Sequence, residues 1–223
     1  MASARGRRVR VVSHWIGALT LVACTSGGIV TVGVGPLAAA PTATTIDPGR
    51  LAPTSSEPAT GAALASRMRV LFAALTANDV TRADTVFFPR TAYLRMKSGL
   101  LASPGADYAN RLLAFFHLDV ASYHRRIDTG GAPTLLRVTA NPADAAWIAP
   151  GHCENLIGYW HLPGVRLVYR QGTRVWSVRV ASLISWRGVW YVVHLGPNPR
   201  PRDVGTVDDF RAGAGTPGPA GGC

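Results

Sequence analysis

The alternation of apolar and polar positions is most regular between Gly158 and Leu195, where three patterned runs are separated by short glycine-containing turns. With Arg187-Gly188 at the centre of a hairpin turn, Trp186 faces Val189, Ile184 faces Tyr191, Ser182 faces Val193 and Val180 faces Leu195. All eight fall on one side of a sheet, because side chains alternate along a strand. With Gln171-Gly172 at the preceding turn, Tyr169 faces Arg174, Leu167 faces Trp176 and Val165 faces Val178, on the same side again. Two independent turn placements that agree on one apolar face predict a three-stranded antiparallel meander.

Upstream the period changes to that of helices. Leu64, Met68, Leu71, Phe72 and Leu75 make the stripe of an amphipathic helix over residues 62–77, ended by Asn78-Asp79. Val80 to Phe87 reads as a short second helix stopped by Pro89, and Thr91 to Met96 as either strand or helix. Ser103-Pro104 opens a helix reaching Ile127, with Ser103 as its cap; Asp119 interrupts the apolar face, which predicts a break near His117-Leu118. After Gly130-Gly131 come a strand from Thr134 to Ala140, a turn at Asn141-Pro142 and a short piece from Ala145 to Ile148. Helices first and strands afterwards give an α+β class, with N-terminal helices packed on a curved antiparallel sheet that ends in the meander.

The two ends lack this patterning. In residues 1–40, Arg5, Arg7, Arg8 and Arg10 precede an apolar run from Val11 to Ala23, the pattern of an export signal. The run closes in Leu21-Val22-Ala23-Cys24, which resembles the bacterial lipobox and implies lipidation at Cys24, with Thr25 to Gly28 as a polar spacer. Ile29 to Ala40 is apolar again, so an uncleaved anchor from Trp15 to Ala40 and cleavage after Ala38-Ala39-Ala40 stay open. All three readings place the domain outside the cytoplasm, at the membrane in the first two. Residues 41–60, rich in Thr, Pro, Ser and Ala, read as a disordered stalk; 61–196 as the globular domain; 197–223 as a Pro/Gly-rich tail, disordered unless something ties it down.

Charge adds little. The chain carries a formal +11, but 22 of its 23 basic residues are Arg, scattered without a run, and Lys97 is the single lysine. Nucleic acid is therefore a poor partner, and an anionic membrane surface or acidic wall polymer a better one. There is no His-Glu-x-x-His, Cys-x-x-Cys or glycine-rich phosphate loop, so no metal, cofactor or catalytic residue is assigned. His194 with Asp119 or Asp84 is the sharpest chemical pairing, a base and its orienting carboxylate; no spacing links them, and histidines satisfied at element ends are the plainer reading, for His161 as well. With Trp176 and Trp186 assigned to the core face, Tyr159, Trp160, Trp190 and His194 remain as candidates for a pocket or partner surface. Three cysteines in an exported chain, one of them lipidated, leave Cys153 and Cys223 as a disulfide candidate.

The element order over Gly61 to Leu195 resembles the cone-shaped nuclear-transport-factor-like superfamily, which implies an apolar pocket enclosed by helices and a concave sheet. Gly158-Tyr159-Trp160-His161 through Trp190-Tyr191-Val192-Val193-His194 also resembles a group of actinobacterial envelope lipoproteins, a resemblance that carries no activity with it. The expectation is a non-catalytic envelope protein that binds a small apolar ligand or a protein partner. The alternative is an extracytoplasmic isomerase or hydrolase using a pocket His/Asp pair.

Overall fold

The structure, a computed structural model, describes residues 46–127, 130–219 and 221. Residues 1–40, read above as an export signal with Cys24 in its lipobox, and Cys223 lie outside the described residues. Contacts divide the chain into two units, and all described residues belong to the one that begins at Thr44. Among the described residues, the core cluster and the sheet pairings lie in that unit, which thus has a hydrophobic core of its own, as a domain that folds alone requires.

Helix α1 (Ala62–Ala77) buries Leu64, Met68, Leu71, Phe72 and Leu75, the stripe visible in the sequence, and ends where Asn78 takes a left-handed conformation. Asp79 caps α2 (Val80–Asp84) through Arg82 N–H. The ambiguous segment is helical, α3 (Arg90–Lys97). Next come α4 (Pro104–Asp107), a π-helical turn (Tyr108–Leu113) and α5 (Ala114–Ile127) in direct succession. The irregularity is thus the π turn, not a break at His117, and Ser103 makes no capping hydrogen bond. Asp119 is tolerated on the buried face because Gly196 N–H, Thr206 N–H and Arg200 all meet it.

The sheet has six antiparallel strands: β1 (Thr134–Thr139), β2 (Ala146–Ile148), β3 (Tyr159–Gln171), β4 (Arg174–Trp186), β5 (Val189–His194) and β6 (Asp208–Ala212). β1 and β2 both pair with β3, while β5 and β6 share the far edge of β4. Phe72 packs on Tyr169, and Phe88 on Trp186 and Tyr191, so the helices cover the predicted apolar face. Residues 86–88 cap the free edge of β5 through Phe88 N–H to Val192 O and Val192 N–H to Val86 O.

Two details of register differ from expectation. The β3–β4 turn is Gly172-Thr173, with Gly172 at φ +56°, so Tyr169 faces Trp176 and Leu167 faces Val178. A slide of two residues keeps every side chain on its face. In the β4–β5 hairpin, Arg187 and Gly188 both have positive φ, and Trp186 and Ile184 face Val189 and Tyr191 as predicted. Beyond them a bulge at Val193 sets Ser182 opposite His194 instead of Val193. One inserted residue moves His194 from the outer face to the helix-facing one.

Both ends expected to be disordered are tied down where described. In residues 46–60, the indole N–H groups of Trp186, Trp160 and Trp190 donate to Pro48 O, Ser55 O and Pro58 O at 2.8, 2.8 and 3.0 Å. Arg95 and Arg187 reach Leu51 O and Ala52 O. A segment with no apolar period offers unpaired carbonyls, and these donors use them. In the tail, β6 pairs with β4, Arg179 grips both oxygens of Asp208, and the buried Arg166 bonds Asp209 and Thr216 O. Gly218 N–H then donates to Gly164 O; a side chain at Gly218 would strike Asp144, which is why glycine sits there. Among the described residues no helix is long and apolar enough to cross a membrane.

Candidate functional site

A cavity of about 360 Å³ lies between α3, the π turn and the end of the sheet where β3, β4 and β5 carry His161, Ser182, Ile184 and His194. Its apolar wall includes Phe88, Met96, Leu101, Leu112, Ile148 and Ile184, and the exposed Glu154 and Asn198 stand at its rim. Volume and lining are those of a small-molecule site.

The polar side of the wall is built from local spacing. Tyr93 and Lys97 lie four apart on α3, and Asp107 and Arg111 four apart where α4 runs into the π turn. Arg111 grips Asp107 with Nε to Oδ1 and Nη2 to Oδ2, both 2.6 Å, and Nη2 also donates to Tyr93 Oη at 3.0 Å. Tyr93 in turn donates to Asp107 Oδ2. The Arg111 hydrogen bonds hold the Asp107 carboxyl below its ordinary value, while burial and the bond to that carboxylate push the Tyr93 phenol up. Asp107 is therefore an anion with both oxygens occupied.

On the sheet side, His161 Nε2 lies 3.0 Å from Ser182 Oγ, and burial lowers its pKa. His194 is lowered further, to about 4, by burial and then by the charges of Arg111, His161, Arg200 and Lys97. It is a neutral imidazole at pH 7. Lys97 donates to Glu154 O at 2.8 Å, and burial lowers its pKa as well. Asn155 ties the same loop through Cys153 O and Tyr159 Oη.

The predicted residues divide between this cavity and the covered outer face. Tyr159 and His194 line the cavity. Trp190 is only 2 % exposed and is covered by Pro58, and Trp160 packs edge-on against Trp147 while donating to Ser55 O. The chain's own segment occupies the surface these two tryptophans were expected to offer. Neither carboxylate proposed for His194 joins it: Asp119 holds the tail through Gly196, Arg200 and Thr206, and Asp84 pairs with His117 at 2.8 Å on the exposed side of the helices. Cys153 lines the cavity and is disulfide-bonded. Gly221, two residues before Cys223, lies with its carbonyl 3.5 Å from Ser182 Oγ in the same wall.

Sequence reasoning missed Tyr93, Lys97, Asp107, Arg111 and Asn155. The Asp107/Arg111 spacing was a usable signal, but it marks any exposed helix equally well. Among the described residues, no group of three or more His, Cys, Asp or Glu side chains is placed to hold a metal ion. Comparison of this chain with protein-family models, with curated proteins and with solved structures finds no match.

Proposed function

We propose that this chain is an exported, lipid-anchored envelope protein that holds a small molecule non-covalently between its helices and the concave end of its sheet. The observation that carries the binding role is the cavity of about 360 Å³, with one apolar wall and one polar wall. The titration of its imidazoles and of Asp107 favours binding over acid–base catalysis by those groups. General acid–base work at neutral pH needs a group poised near 7. Here His194 stands near 4, His161 is lowered, Asp107 is held as an occupied anion and Tyr93 is raised, while Lys97 is lowered by burial and already donates to the Glu154 and Cys153 carbonyls.

A neutral fluorescent probe, N-phenyl-1-naphthylamine, tests this reading. Unit 44–223 should bind it with saturable enhancement, and Met96→Trp, which fills the cavity, should abolish that signal while circular dichroism stays native. Binding that survives the filled cavity overturns the reading. A second reading, an isomerase or hydrolase, rests on the convergence of Tyr93, Asp107, Arg111 and two imidazoles in one cavity. It requires His194→Gln or His161→Gln to cost turnover on the order of a hundredfold in a folded protein; the binding role expects any activity found to persist.

A further inference from the structure

Lys97 is the single lysine among 23 basic residues, and it is buried in the cavity wall at 9 % exposure. The other basic residues of α3, Arg90 and Arg95, are not buried. Its Nζ meets main-chain acceptors, Glu154 O at 2.8 Å and Cys153 O at 3.5 Å, and it forms no ion pair among the described residues. An ammonium placed this way retains part of its desolvation cost unless an anion comes to it.

The remaining groups face the same deficit of acceptors. Arg111 spends Nε and Nη2 on Asp107 and Tyr93, which leaves Nη1 without a partner among the described residues. Both Asp107 oxygens are taken by Arg111 and Tyr93, so toward Lys97 that carboxylate acts only through space. The His194 ring has no hydrogen-bond partner among the described residues. Glu154 contributes its carbonyl to Lys97, and its side chain belongs to the exposed rim. Lys97 and Arg111 flank a single side chain: Nζ lies 5.9 Å from the Tyr93 ring centroid and Nη2 3.0 Å from its hydroxyl. With Arg111 paired to Asp107 and Glu154 acting on Lys97 only through space from the rim, Lys97 is a cation of the cavity wall with no carboxylate at ion-pair distance among the described residues, beside an apolar wall.

We infer that the ligand is an amphiphilic organic monoanion, with its carboxylate or sulfonate head at Lys97 and Arg111 Nη1 and its apolar body against Met96, Leu101, Leu112 and Ile184. The inference rests on the binding reading above and is separable from it. The probes are 8-anilinonaphthalene-1-sulfonate and N-phenyl-1-naphthylamine, one ring system with and without a sulfonate, titrated into unit 44–223 at pH 7. The sulfonate should bind at least about tenfold more tightly, as one charge-assisted contact implies. In Lys97→Met the two affinities should come within about twofold of each other, the residual preference being that of Arg111. Equal affinities in the wild type, or a preference that survives Lys97→Met, overturn the monoanion while leaving the cavity a binder. No binding of either probe removes both readings. If Lys97→Met does not fold, protein grown with ¹³Cε-lysine gives a single lysine signal, from Lys97. That signal should shift on adding the sulfonate and stay in place with the neutral probe; no shift with the sulfonate overturns the inference.

Discussion

His194 shows how much one inserted residue decides. Without the bulge at Val193 its imidazole would lie on the outer face; with it, the ring enters the cavity among cations and its pKa falls to about 4. An unfolded histidine titrates near 6.5, so the unfolded state takes up a proton first as pH falls. Stability from this group is complete above about pH 6.5 and is lost progressively toward pH 4, by about 3 kcal/mol in total. His161, lowered by burial, acts in the same direction. Urea unfolding across that window should show the slope, and His194→Gln should flatten it; an unchanged slope rules out a buried neutral ring.

The elements least visible in the sequence are those held by side chains reaching backbone or by ion pairs. β6 is the clearest case. No apolar alternation marks residues 208–212; the strand exists because Arg179 grips Asp208, Arg166 holds Asp209, and the buried Tyr123 hydroxyl takes Asp208 N–H at 3.0 Å. Asp208→Ala removes the two-point partner of the half-buried Arg179, leaving it Asp209 at 3.8 Å, and should cost about 1–3 kcal/mol, with faster amide exchange over 208–212 and unchanged protection in α1. Loss of protection everywhere, or nowhere, contradicts this local role. The ordered tail also bears on the disulfide. Gly221 lies at Ser182 in the wall that Cys153 also lines, and a bond from Cys153 to Cys223 closes a loop of 71 residues, stabilising by roughly 4 kcal/mol in the chain-entropy model. Non-reducing peptide mapping should recover the two cysteines in one cross-linked peptide; a Cys153 peptide joined to Cys24 instead would also end the lipidation proposal.

At the scale of the whole molecule, the compact unit begins at Thr44, and the segment before it contains the Leu-Val-Ala-Cys box. Metabolic labelling with a palmitate analogue should mark the wild type in the membrane fraction, and Cys24→Ala should lose the label. Unlabelled protein that stays in the membrane points to the uncleaved anchor instead.

The sequence by itself determined the α+β class, the span of α1, the meander and its apolar face. Each follows from a periodic burial pattern repeated over several turns or strands, and a register error of two residues leaves it intact. Only the tertiary structure decided what the cavity contains and what covers the outer face. Tyr93 and Lys97 form one four-residue pair on α3, and Asp107 and Arg111 another where α4 runs into the π turn; the meeting of the two pairs depends on how those segments lie on the sheet, which neither spacing records. The same holds for the carbonyls that meet Trp160, Trp186 and Trp190. Those bonds join residues more than a hundred positions apart, through backbone atoms every residue shares, so no pattern of side chains could have announced them.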